Sequence, residues 1–121
     1  MKKPILIIEG EPWLGDQYQR VLEAAGFSIV RTSNAYSAID LIDDTIPRVI
    51  VLSLLLSGTN GVGLLHELQS YVDTAKIPIV VCGDLIGINS SDLEPYGVKR
   101  VIDTTSMEPT DLVTAVKAVL A

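Results

Sequence analysis

Few side chains in this sequence have the chemistry to act on another molecule, and their placement decides what they can do. Glu9 and Glu11 flank Gly10 directly after the apolar run Ile5 to Ile8, Ser53 follows the run Val49 to Leu52, and Cys82 ends the run that begins at Ile77. Carboxylates next to a hydroxyl suit divalent-cation binding or nucleophilic transfer. A serine nucleophile needs a positioned base, however, and the lone His66 lies inside a helical stretch, sharing its polar face with Glu67 and Ser70 and away from the run ends. His66 therefore reads as a solvated surface histidine. Cys82, at the end of a buried run, reads as a packed small hydrophobe rather than a reactive thiol. The pattern Gly58-x-x-Gly61-x-Gly63 lacks the Gly-Lys-Ser/Thr ending of a phosphate-cradling loop and the spacing of a dinucleotide fingerprint, so turn and helix-start duty explains it better. One cysteine forms no intrachain disulfide, and one His with one Cys assembles no structural zinc site.

The elements that must position these residues follow from hydrophobic periodicity. Ile5 to Ile8, Val49 to Leu52 and Ile77 to Cys82 are continuous apolar runs of strand length, as expected where both faces of a parallel sheet are covered. Phe27 to Thr32 and Lys99 to Asp103 carry Ser28, Arg31 and the Lys99-Arg100 pair, which suits sheet edges. Between the runs, Leu14, Tyr18, Val21, Leu22 and Ala25 form one helical stripe, and Ala35, Ala38, Ile39 and Ile42 form the next. Leu64, Leu65, Leu68, Tyr71 and Val72 form a third stripe. Leu112, Val116, Val119 and Leu120 form the last, opened by Pro109. The stretch Leu85 to Gly97 contains Gly87, Asn89, Ser90, Ser91 and Pro95, so the fourth helix is expected to be short or irregular, about a turn after a Ser91/Glu94 capping box.

Five β-α units with the first, third and fourth strands most buried predict an α/β fold. It is a flavodoxin-like, doubly wound, five-stranded parallel sheet of strand order 2-1-3-4-5, one domain over residues 1–121. A ligand site in such a sheet forms beyond the carboxyl ends of the strands where the winding reverses, so the loops after Ile8 and Leu52 matter most.

Composition narrows the classes of function. The 121 residues carry 15 acids and nine Lys or Arg, a formal net charge of -6, with no basic cluster beyond Lys2-Lys3 and Lys99-Arg100. Direct nucleic-acid binding lacks its electrostatic footprint. Apolar residues at 48% fit a filled globular core. The apolar run after Lys2-Lys3-Pro4 is too short for a signal-peptide core or a membrane span, so a cytoplasmic location without membrane contact is expected.

The two loops also carry a resemblance. Ile8-Glu9-Gly10-Glu11-Pro12, Pro47 through Ser53, and Leu54 through Gly61 are similar to the corresponding segments of the receiver domains of two-component response regulators. So are Ile77-Pro78-Ile79-Val80-Val81 and Gly97-Val98, and the resemblance spans essentially the whole chain. It implies an acidic pair after the first strand, where Gly10 replaces the second acid. It also implies a phosphorylated Asp at the end of the third strand, where Ser53 stands, and a switch Thr or Ser where Gly83 stands, or Cys82 with a slip of one residue. The family's lysine before proline falls on Thr104, with Thr105 next to it.

Phosphoryl transfer to an aspartate needs an in-line carboxylate, a Mg²⁺ and a cation near the acceptor. The resemblance leaves Glu9 as the only matched acid, with Glu11 at the helix start, and Glu9, Asp84 and Asp103 would repel a phosphate that no lysine offsets. The expectation is a degenerate pseudo-receiver, not an enzyme, with no cofactor and no metal, working in two-component-type signalling through a protein partner or a homodimer. In receivers the face of the fourth helix, fifth strand and fifth helix is the implied output surface. Here it offers Leu85, Ile86, Tyr96, Val113 and Lys117, and Trp13 at the start of the first helix is a further candidate contact. The alternatives are a receiver phosphorylated on an unorthodox acceptor such as Ser53, and a small-molecule sensor using an emptied pocket between Glu9, Ser53 and Thr104.

Overall fold

The structure, a computed structural model, describes residues 3–53, 55–56, 59–83, 93–104 and 108–120. Five parallel strands form the central sheet: β1 (Ile5–Ile8), β2 (Ile29–Thr32), β3 (Val49–Ser53), β6 (Ile79–Gly83) and β7 (Val98–Asp103). Their order, β2-β1-β3-β6-β7, is the doubly wound order expected from the burial of the runs. Between β3 and β6, the two-residue strands β4 (Leu55–Leu56) and β5 (Thr59–Asn60) make a short antiparallel ladder.

Each central strand sends alternate side chains to opposite layers. Ile5 and Ile7 of β1 join Val49 and Val51 of β3 under α1 (Pro12–Ala24) and α5 (Pro109–Leu120). Leu6 and Ile8 join Ile50 and Leu52 under α2 (Ala35–Thr45) and α3 (Gly61–Gln69). All of β1 and β3 is buried for that reason, whereas β2 is half-buried and β7 exposes Lys99 and Arg100. The β6–β7 register slips between the pairs Ile79↔Val98 and Val80↔Arg100, which leaves Lys99 as the surplus residue of a bulge.

Local sequence sets the helix ends. The Asn34 side chain accepts a 2.9 Å hydrogen bond from the Ser37 N–H and caps α2. Pro109 opens α5, and the Asp111 carboxylate reaches back to the Glu108 N–H at 2.9 Å. Gly15 of α1 is buried beneath the Arg31 guanidinium, where an added Cβ would sit 3.0 Å from Arg31 Nε. Arg31 in turn pairs with Asp16 at 2.6 Å and donates to Gln19 at 3.1 Å, tying the edge strand β2 to α1.

The third helical stripe departs from expectation. Leu64, Leu65 and Leu68 are buried as predicted, but the helix stops at Gln69 and a new turn, α4 (Val72–Ala75), begins after Tyr71. The buried Thr74 hydroxyl donates to the Leu68 carbonyl at 2.5 Å, satisfying an acceptor at the break. Tyr71, placed on the buried stripe by periodicity, is instead 60% exposed. The fourth connection is described only from Leu93, where Glu94–Tyr96 form a single 3₁₀ turn ended by Gly97 at φ 81°. Ser91, and with it the proposed capping box, lies outside the described residues.

Candidate functional site

The carboxyl ends of β1, β3, β6 and β7 bring together most of the residues that the sequence marks for a site. Register pairs Ile8 with Leu52 and Ser53 with Cys82, so Glu9, one residue past β1, stands beside Ser53. The Thr104 N–H donates to the Gly83 carbonyl at 3.0 Å, which places Thr104 next to the end of β6. Glu9, Ser53, Cys82, Gly83 and Thr104 thus share one end of the sheet.

Glu9 is 5% and Ser53 7% exposed, and both are polar groups inside an otherwise apolar layer. The Glu9 carboxylate accepts from the Glu11 N–H at 3.3 Å, with the Ser53 hydroxyl and the Gly10 N–H as further hydrogen-bond partners. Burial nevertheless dominates and holds the Glu9 carboxyl above its ordinary range. Glu11 takes the N-cap position of α1 but is exposed, and its side chain caps nothing. Among the described residues no three acidic, His or Cys side chains converge on a point where they could hold a metal ion. A buried Glu9 beside a glycine and a serine does not fit the donor set that a Mg²⁺ shell requires.

Beneath Glu9 lies a pair of groups that periodicity reads only as apolar filling. Tyr18 of α1 and Cys82 of β6 belong to the same core cluster, each 1% exposed. Among the described residues the Tyr18 hydroxyl meets no hydrogen-bond partner of good geometry. Burial pushes its acidity out of reach, with the neighbouring Cys82 and Glu9 adding to the effect. Burial, and secondarily the Glu9 charge, pushes the Cys82 thiol up to about 12. A tyrosine instead of phenylalanine on a core-facing stripe is the sequence signal for this buried polar group.

The candidate interaction residues divide between layers. Tyr96 packs against the α2–α3 layer, whereas Val113 packs partly into the α1–α5 layer and Lys117 is exposed on α5. Trp13 is 65% exposed at the start of α1. Leu85 and Ile86 lie outside the described residues, as does Asp84. His66 is exposed as expected but not without company: its ring meets Tyr96 edge-on, centroids 4.6 Å apart at 72°, with Tyr96 Oη 3.2 Å from His66 Nε2. That contact joins residues 30 positions apart, which no local pattern announces. No helix among the described residues is long and apolar enough to cross a membrane.

No family model matches the chain. It is 31% identical over 121 residues to the phosphate regulon transcriptional regulatory protein PhoB of Pseudomonas aeruginosa, covering 98% of this chain and 52% of that protein. It is 32% identical over 106 residues to the transcriptional regulatory protein BaeR of Escherichia coli, covering 81% of this chain and 44% of that protein. The chain therefore spans about half the length of these curated relatives. The polar-differentiation response regulator DivK of Brucella anthropi is 25% identical, with 86% of this chain and 94% of that protein covered. Among solved structures, a CheY-like response regulator receiver domain protein from Methanospirillum hungatei has a TM-score of 0.85 at 20% identity, covering 99% of this chain and 94% of that one. The receiver domain of NtrX from Brucella abortus gives 0.83 at 23% identity, covering 94% and 95%. Related to response regulators along nearly its whole sequence and folded as their receiver domains are, the chain belongs to the response regulator receiver family, as a receiver domain of a two-component system.

Proposed function

We propose that this receiver works without phosphorylation, as a signalling module that docks a protein partner or a second copy of itself. The observation that carries the reading is the pairing of Ser53 with a buried Glu9 at the strand ends, where the family's acceptor carboxylate is expected. An acyl phosphate cannot form on a hydroxyl, and Gly10 and Thr104 remove the second acid and the cation that would assist transfer. A buried Glu9 carboxylate adds negative charge where a phosphoryl group would arrive. Gly83 has no side chain to sense a phosphate, so the relay from pocket to surface lacks its first contact.

Incubation with acetyl phosphate and Mg²⁺, followed by intact mass measurement, tests the reading. The expected result is an unchanged mass. A stoichiometric gain of about 80 Da, the mass of one phosphoryl group, would overturn it and favour Ser53 as an unorthodox acceptor.

A further inference from the structure

Two adjoining hollows run along the outer surface between α2 and the α3–α4 pair, on the flank opposite α1 and α5. One, of about 490 Å³, lies between Tyr36 and Ile39 on one side and Gly63 and Leu64 on the other. The second, of about 320 Å³, continues from Ile42 and Ile46 to Leu68 and Tyr71. Ile39 and Glu67 line both, so the two form one groove along the whole of α2. An 11-residue helix is about 16 Å long, which matches about three turns of a docked helix.

The groove has an apolar floor and an acidic rim. Ile42, Leu64 and Leu68 are buried at its base, and Asp40, Asp43, Glu67 and Asp73 stand exposed along its edges. No Lys or Arg lines either hollow, and none of these four acids is ion-paired among the described residues. Arg48 is the only Lys or Arg between Thr32 and Ala75, and its guanidinium is engaged elsewhere, over the Phe27 ring at 5.9 Å. Four of the 15 acids thus face one apolar slot with no counter-charge of their own. Tyr36, 86% exposed, marks one end and Tyr71, 60% exposed, the other. Two exposed tyrosines at the ends of an apolar slot are the kind of anchor that protein interfaces favour.

We infer that the α2–α3 groove docks a basic amphipathic helix of a protein partner. The partner's apolar stripe seats on Ile39, Ile42, Leu64 and Leu68, and its Lys or Arg residues meet Asp40, Asp43, Glu67 and Asp73. An acidic partner would meet uncompensated repulsion there, and a second copy of this chain, formally at -6, would bring its own acids against the same rim. The inference rests on the interaction-module reading and assigns that reading a face and a partner chemistry. Gly63 of α3 lines the Tyr36 end of the groove.

The test is a titration of the full chain, at low salt, with a designed leucine/lysine amphipathic helix of about four turns, read by amide chemical-shift changes and calorimetry. Its leucine/glutamate counterpart and a lysine peptide without leucines serve as controls. Shifts are expected along α2, α3 and α4 for the leucine/lysine helix alone, with affinity falling at least tenfold in E67K and in I39E and unchanged in W13A. Circular dichroism checks that each variant is folded, and the surface change E67K keeps the test valid should I39E fail to fold. Raising the salt should weaken binding. Equal binding of the acidic helix or of the leucine-free peptide, shifts on another face, or an affinity untouched by E67K would overturn the inference. So would a self-association, detected by sedimentation, that Y36A abolishes, since the groove would then belong to a second copy. Absent peptide binding together with an unchanged mass after acetyl phosphate treatment removes this groove and leaves the phosphorylation-independent reading standing.

Discussion

Glu9 and Ser53, residues 5% and 7% exposed, stand side by side at the ends of adjacent parallel strands, with the Ser53 hydroxyl as a donor to the Glu9 carboxylate. In this position an acid is surrounded by apolar strands and, among the described residues, offset by hydrogen bonds alone. Its ionisation therefore works against the folded state.

The sign of the pH dependence follows. Glu9 has a folded-state value raised above its ordinary one of 4.5, so between the two the folded chain holds a proton that the unfolded chain has released. Its contribution to stability is most favourable below about 4.5 and declines as pH rises through the raised folded value. Glu9→Gln removes that penalty while keeping hydrogen-bonding capacity. Urea denaturation of both proteins should show Glu9→Gln the more stable at neutral pH, with the gap narrowing as pH falls towards 4.5. A gap that widens on acidification would contradict the burial argument.

Cys82 should be chemically silent while the chain is folded. Thiolate is the reactive form, and a buried thiol pushed up to about 12 supplies almost none at neutral pH. A thiol reagent at pH 8 should leave the native protein unlabelled over hours and react with one equivalent in strong denaturant. Rapid native labelling would show Cys82 to be reachable and would make it a candidate redox site.

A cation shell can be built into the strand ends by substitution. Gly10 is not among the positive-φ glycines, so aspartate there carries no left-handed backbone penalty. Gly10→Asp combined with Ser53→Asp would put three carboxylates, with Glu9, at the strand ends. Calorimetry should then detect Mg²⁺ binding in the double variant and none in the parent chain. Equal binding by both would mean that the parent pocket already holds the metal.

At the break between α3 and α4, Thr74 donates to the Leu68 carbonyl at 2.5 Å while 7% exposed. Thr74→Val keeps the shape and removes the donor, leaving a buried carbonyl unsatisfied at a cost of about 1 to 3 kcal/mol. Thermal melts should register a loss of several degrees. An unchanged melting temperature would mean that the carbonyl finds water instead.

The sheet was legible because burial in a doubly wound fold grades the strands: Ile5 to Ile8 and Val49 to Leu52 have no polar interruption, and Lys99-Arg100 mark an edge. The neighbourhood of Glu9, Ser53 and Thr104 follows from that topology, since parallel strands end together. The helix break was not legible, because Tyr71 and Val72 continue the 3.6-residue period that Leu64 and Leu68 begin. At the break a side chain bonds to backbone six residues earlier, a contact that hydrophobicity does not record. The Tyr96–His66 contact and the shelter that Arg31 gives Gly15 are likewise made by residues distant in sequence. The acidic groove is not legible for a related reason, because its rim is split among α2, α3 and α4, whose charges look ordinary on each alone.

The bulge in β7 has a consequence for how copies of this chain meet. In a regular strand Lys99 and Arg100 would point to opposite faces, but the surplus residue leaves both exposed at the free edge of the sheet. A second copy approaching edge to edge would bring like charges together over a kinked ladder. The β7 edge thereby resists pairing with the same edge of another copy, and growth of the sheet from chain to chain is blocked on that side.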